Sequence, residues 1–208
     1  MKLEYTYWFF KKALSKNFCN EIIRFAKKQK PKLGKTFSTI ENKKNKKTNN
    51  DLKKFRNSNV VWLNEPWIHN EITPYLKNAN INSNWNFEID SAESCQFTIY
   101  NKNQYYHWHQ DSLPKPYDTP TNINLHGKIR KISLTCSLSD PNDYKGGELE
   151  FLQFEEINCE KNKIHKCKEI SEQGSLVFFP SFIHHRVTPV TKGTRYSLVI
   201  WFLGKPFK

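Results

Sequence analysis

Nowhere in the 208 residues is there an apolar run near the roughly 20 residues that a membrane-spanning helix needs, so no membrane partner is expected. The opening MKLEYTYWFFKK is too short and too aromatic to resemble a secretory leader, which makes the cytoplasm the expected compartment. Cysteine is sparse and unpaired in pattern. The five (Cys19, Cys95, Cys136, Cys159, Cys167) are an odd number without framework spacing, which fits reduced thiols better than a disulfide scaffold. Cys159 and Cys167 beside His165 invite a zinc reading, but their spacing matches no common zinc site. Arginine is scarce as well, with five among 33 basic residues. The net charge of +13 is therefore mostly lysine, and stretches such as NKKNKKTNN at 42–50 read first as a solvated surface. Nucleic acid stays a second candidate partner.

What the chain does have is enough large apolar surface for one core, with 37% hydrophobic and 14% aromatic residues. Its length suits a single domain over 1–208. Ser15 can cap a helix in which Phe18, Ile22, Phe25 and Ala26 recur at helical spacing, with Pro31 beyond its end. A second helical stretch from Pro66 carries Trp67, Ile68, Ile72 and Leu76, and Pro74 is predicted to bend or break it. Residues 41–54 read as a mobile surface loop. From residue 87 the pattern becomes short strand-like runs: Phe87 to Ile89, Cys95 to Tyr100, Ile132 to Leu138, Leu149 to Leu152, Leu176 to Phe179 and Tyr196 to Phe202. Turn signals at Asp140-Pro141-Asn142-Asp143 and Gly146-Gly147 separate some of these runs. The expected class is α+β, with residues 1–86 as mainly helical support and 87–208 as a double-stranded β-helix, or jelly roll. Segments 112–130 and 155–170 are expected to be loops at a site mouth.

Two of the seven histidine positions look organised. In His109-Gln110-Asp111 an i, i+2 pair on extended chain puts an imidazole and a carboxylate on one face. A further histidine, His184 or His185, follows the apolar strand ending at Phe179. Two imidazoles and one carboxylate leave three positions open on an octahedral ion, the arrangement of non-haem Fe(II) oxygenases. Arg195 and Ser197 share a face of the strand RYSLVIWF, and a buried Arg there calls for an anion, which a ligand carboxylate would supply.

The segment from Tyr100 to Asp111 resembles the prolyl 4-hydroxylase-like branch of the Fe(II)/2-oxoglutarate dioxygenases. Tyr100 stands nine before His109, and Asn103, Gln104 and Tyr106 fall at the family's offsets, with Asn103 replacing a Gly that takes positive φ. The likeness continues through Arg130 to Leu134, Leu138 to Asp140, Tyr144 to Leu149 and His185 to Arg195, where it is closest to PKHD-type hydroxylases. It covers about residues 95 to 203.

This resemblance implies that His109, Asp111 and His185 bind Fe(II), with the spacing to Arg195 favouring His185 over His184. Arg195 would pair with the distal carboxylate of 2-oxoglutarate, Tyr100 would hydrogen-bond it, and Ser197 and Trp201 would line the same pocket. Arg130 and Tyr106 would face substrate, and His107, by its strand parity with His109, is expected as a polar contact in the pocket wall. Leu149 stands where the family commonly carries Thr, and Arg195 where eukaryotic-type members carry Lys. The activity so implied is hydroxylation of prolyl residues in a peptide or protein, coupled to decarboxylation of 2-oxoglutarate to succinate, with O2 as oxidant and ascorbate as candidate reductant. Asp111 argues against halogenation, since related halogenases lack that carboxylate. The alternatives are oxidation of nucleic acid or a free amino acid, and a catalytically silent jelly-roll binding module.

Overall fold

A computed structural model describes residues 3–35, 53–112, 115–153 and 163–207. The expected loop at 41–54, except its last two residues, and segment 155–162 with Cys159 lie outside the described residues. Among the described residues the N-terminal part holds the helices α1 (Lys16–Lys27) and α2 (Pro66–Asn82), a helical turn at 53–55, and the strands β1 (Trp8–Phe10), β2 (Lys32–Leu33), β3 (Arg56–Asn57) and β4 (Asn59–Leu63). Next come β5 (Ser91–Ala92), β6 (Cys95–Tyr100), β7 (Tyr105–His109), β8 (Ile129–Ser137), β9 (Tyr144–Gly146) and β10 (Leu149–Gln153). The last are β11 (Lys163–Lys166), β12 (Leu176–Pro180), β13 (His185–Val187), β14 (Val190–Gly193) and β15 (Arg195–Gly204).

All described strand pairings are antiparallel. The large sheet runs β1-β12-β8-β15-β6-β4-β2, with β5 on the far end of β15, and the small one runs β11-β10-β13-β7-β3. Together they form the expected jelly roll, with β14 and β9 as a separate ribbon.

Alternation along the central strands decides what each face does. Phe97, Leu134, Cys136, Leu198, Ile200 and Phe202 pack under Cys19, Ile22 and Ala26 of α1 and Ile68, Ile72 and Leu76 of α2. Burying each large side chain there contributes about 1.5–3 kcal/mol. The positions between them, Gln96, Thr98, Ser133, Thr135, Ser137, Arg195 and Ser197, are just as buried but polar, and they face the small sheet. At one end of the space between the sheets Leu149, Phe151, Val177 and Phe179 form an apolar plug.

Ser15 caps α1 as expected, its Oγ accepting the Phe18 N–H at 3.1 Å. Two expectations are corrected. Helix α2 is not broken at Pro74 but runs on through it. Thr73 Oγ1 donates to the His69 carbonyl at 2.7 Å, Asn70, whose carbonyl loses its helical partner, is exposed, and the buried stripe Ile68, Ile72, Leu76 and Ala79 holds the helix to the sheet. Phe87 to Ile89 is not a strand, because Phe87 is tied to the end of α2 by Asn80, which accepts from its N–H at 3.0 Å and donates to its carbonyl at 2.8 Å. Residues 1–86, expected as mainly helical support, also carry strands. Their short edge strands carry too few residues for alternation to register, yet β3 and β4 complete both sheets. Segment 155–170 likewise contains β11 and the 3-10 turn Lys168–Ser171.

The expected loop at 112–130 is tethered where it is described. Tyr117 and Lys128 pair through their backbones (Tyr117 N–H to Lys128 O at 2.9 Å), and the Tyr117 hydroxyl donates to Glu93 at 2.8 Å. In the connection from β6 to β7 Asn103 takes φ +66°, the left-handed conformation expected of the residue standing for Gly.

Candidate active site

His109 ends β7 and His185 opens β13, and the two are directly paired across the small sheet. Asp111 follows two residues after His109, its N–H held by the Ser181 carbonyl at 2.8 Å. The two imidazoles are fixed from behind. His109 Nδ1 lies 2.7 Å from the His107 carbonyl and His185 Nδ1 2.9 Å from the Ile183 carbonyl. Because a carbonyl only accepts, Nδ1 carries a proton in each ring, which leaves Nε2 as the nitrogen placed to ligate an ion. Both Nε2 atoms point at one carboxylate, 3.6 Å from Asp111 Oδ1 and 3.6 Å from Oδ2 respectively.

Electrostatics suit a cation in the middle. Burial, joined by the neighbouring His185, holds the His109 pKa well below the ordinary imidazole value, so the ring is neutral near pH 7. Burial pushes the Asp111 pKa up, but His185, His109 and Arg130 outweigh it and hold the carboxyl below its usual range. The Trp201 indole N–H faces the same carboxylate, though outside the geometry of a formed hydrogen bond. Two imidazole nitrogens and an ionised carboxylate, all within 4.8 Å of one another, form a donor set that fits a divalent iron with open positions. It is the one such group among the described residues.

Deeper in the same cavity lies Arg195, 2% exposed, with its Nη1 buried and unpartnered and no salt bridge to it among the described residues. It faces Tyr100 across the β15–β6 ladder, the guanidinium carbon 5.6 Å from the ring centre. Burial raises the Tyr100 pKa, so the phenol stays a donor. A desolvated, unpaired guanidinium is costly unless an anion arrives from solution, and 2-oxoglutarate brings one at the end away from its chelating group. Gly147 (φ +64°) leaves room for the Arg195 side chain, since a Cβ there would stand 2.8 Å from Arg195 Cδ.

Most of the residues named from the sequence meet here. Tyr100, Tyr106, Leu149, Ser197 and Trp201 line the cavity with the triad and Arg195. Tyr106 is stacked on His109, ring centres 3.5 Å apart, and burial pushes its pKa up to about 12. Arg130 lies at 3.8 Å over the Trp201 ring, and its fork is taken by Glu93 through two hydrogen bonds of 2.6 Å. His184 stands outside the triad, its Nδ1 3.2 Å from Gln110 Nε2. His107 is exposed and stacked on Phe55, not in the cavity wall.

Arg56, Glu93, Gln96 and Thr135 escape a sequence reading. Arg56, Gln96 and Thr135 line the cavity, and Glu93 holds Arg130. A signal existed for Arg56, one of only five arginines and embedded in the alternating run FRNSNVVWL. The contacts that give these residues meaning come from distant parts of the chain.

Residues 95–203 match the 2OG-Fe(II) oxygenase superfamily. A PKHD-type hydroxylase of Xylella fastidiosa is 35% identical over 111 residues, covering 51% of this chain and 42% of the relative, so the match spans less than half of that protein. Among solved structures, a Pseudomonas putida prolyl-4-hydroxylase superposes with a TM-score of 0.66 at 16% identity, over 98% of this chain and 95% of its own. A Trichoplax adhaerens prolyl hydroxylase in complex with a hypoxia-inducible-factor peptide fragment superposes with a TM-score of 0.60 at 16% identity, over 95% of this chain and 83% of its own. These likenesses are of fold. The sequence match covers the strands that carry the triad and Arg195, and by it the chain belongs to the 2OG-Fe(II) oxygenase superfamily, whose members work with Fe(II), 2-oxoglutarate and O2.

Proposed function

We propose that the protein is a 2-oxoglutarate-dependent hydroxylase acting on prolyl residues, at C4, in a peptide or protein. The observation that carries the activity is one cavity holding both the His109, Asp111, His185 set and an unpartnered, buried Arg195. A silent jelly-roll module has no need of the second. The prolyl target is supported by the PKHD-type relative, by the prolyl-hydroxylase folds and by the peptide bound to the Trichoplax neighbour.

In this reading His109 Nε2, His185 Nε2 and Asp111 hold the iron. When bound, Fe(II) with 2-oxoglutarate and O2 supplies the oxidising power to place one oxygen atom in a C–H bond while 2-oxoglutarate becomes succinate and CO2. Arg195 takes the distal carboxylate, and Tyr100 and Ser197 add hydrogen bonds where Leu149 offers none. Trp201, pinned between Arg130 and the Asp111 carboxylate, keeps water from that side. Arg130 and Tyr106 fix the wall against which substrate lies. Ascorbate as reductant and a cytoplasmic setting belong to the same proposal; the four described cysteines are all free thiols.

The test is 2-oxoglutarate turnover against proline-rich peptides, free amino acids and oligonucleotides, with mass detection of a product heavier by one oxygen. Peptide turnover that survives moderate salt is expected. Product on oligonucleotides alone, with steep salt dependence, would shift the target to nucleic acid.

A further inference from the structure

The cavity holds a second buried guanidinium. Arg56 is 4% exposed and lines the cavity. Its Nε donates to Ser58 Oγ at 2.9 Å and its Nη1 to the Lys35 carbonyl at 3.1 Å. Its Nη2 is buried without a partner, and no carboxylate pairs with it among the described residues. The group is held rigidly. Its guanidinium carbon sits 4.5 Å from the centre of the Tyr106 ring. Gly34 lies against its other contacts so closely that a Cβ there would stand 2.6 Å from Nε. Tyr106 is itself stacked on His109, which puts Arg56 one ring away from the metal ligands.

The remaining charges of the site leave Arg56 unmatched. Arg130 is neutralised by Glu93. If Fe(II) and the 2-oxoglutarate dianion are in place, their charges together with those of Asp111 and Arg195 cancel, and the positive charge of Arg56 remains. A buried, prepositioned guanidinium with an unpartnered Nη2 and no counter-charge is a site for an anion, and its planar geometry matches a carboxylate. A neutral peptide carbonyl would satisfy the N–H and leave the charge.

Resting on the co-substrate reading above, we infer that Arg56 is a specificity-determining residue that selects a substrate carrying a carboxylate beside the carbon to be hydroxylated. That carboxylate has two sources: the α-carboxylate of a free or C-terminal residue, or an acidic side chain adjacent to the target within a peptide.

Equilibrium binding to the Fe(II)-loaded protein with saturating 2-oxoglutarate, in the absence of oxygen, tests this without turnover. The probes are two matched pairs, L-proline against L-prolinamide, and acetyl-Pro-Asp-amide against acetyl-Pro-Asn-amide. In the wild-type protein the acid of at least one pair binds about tenfold or more tightly than its amide, and the pair that discriminates identifies the source. Arg56→Gln abolishes the discrimination while 2-oxoglutarate affinity is kept, and Arg56→Lys retains it in weakened form. Equal or undetectable binding within both wild-type pairs, discrimination that survives Arg56→Gln, or loss of 2-oxoglutarate binding in Arg56→Gln would each overturn the inference. The wild-type comparison does not depend on any variant folding. Failure of 2-oxoglutarate to bind the wild-type protein would instead strike the co-substrate reading.

Discussion

On the side that meets α1 and α2, the large sheet presents Phe97, Leu134, Leu198, Ile200 and Phe202. On the side that meets the small sheet, the intervening positions of the same strands present Gln96, Thr98, Thr135, Arg195 and Ser197, no more exposed than their neighbours. Burial therefore does not separate the two faces; chemistry does. The helix-facing side satisfies itself by close packing. The cavity on the inner side is left with unpartnered groups, Arg195 Nη1 and the Trp201 indole N–H on the large sheet and Arg56 Nη2 on the small one. Each such group costs on the order of 1–3 kcal/mol until a ligand meets it. Stability is concentrated on one side of the sheet and binding on the other.

Substitutions on the two sides should therefore fail in opposite ways. Asp111→Ala, or His109→Ala, is expected to abolish succinate release while thermal unfolding of the metal-free protein changes little; a fully active variant would remove the iron assignment. Phe97→Ala, on the helix side, should lower the stability of the domain by about 3–5 kcal/mol in denaturant titration, with 2-oxoglutarate affinity unchanged where the protein is folded. A loss of affinity without a loss of stability would mean that the two sides are not separable. Gly147→Ala probes their boundary. Its positive φ costs roughly 1–2 kcal/mol for an alanine, and the new Cβ presses on Arg195. The expected result is a modest stability loss and about a tenfold rise in the 2-oxoglutarate dissociation constant, read by titration.

Much of this division is legible in the sequence because alternation is local. The runs at Cys95 to Tyr100 and Leu176 to Phe179 end within a residue of the strands formed. The pair His109 and Asp111 share a face by spacing alone, and Asn103 announces its own φ. Illegible are the features that depend on what lies across the chain. Nothing near Arg56 says that it packs on Tyr106, fifty residues on. Pro74 reads as a breaker because its missing hydrogen bond is local, while the apolar stripe that overrides it gains its energy from a distant sheet. The run at Phe87 has strand composition, but Asn80 takes up its backbone groups first.

The sharpest test of the polar face is Arg195→Met under anaerobic Fe(II) and 2-oxoglutarate. The wild-type protein should develop a weak visible charge-transfer band and gain thermal stability from 2-oxoglutarate. The variant should lose most of both at the same concentration, yet be at least as stable as wild type without ligand, since an unpaired buried charge has been replaced by an apolar chain of similar length. A variant that keeps the wild-type response to 2-oxoglutarate, or that is destabilised like Phe97→Ala in its absence, would contradict the assignment of Arg195 and the division of the sheet on which it rests.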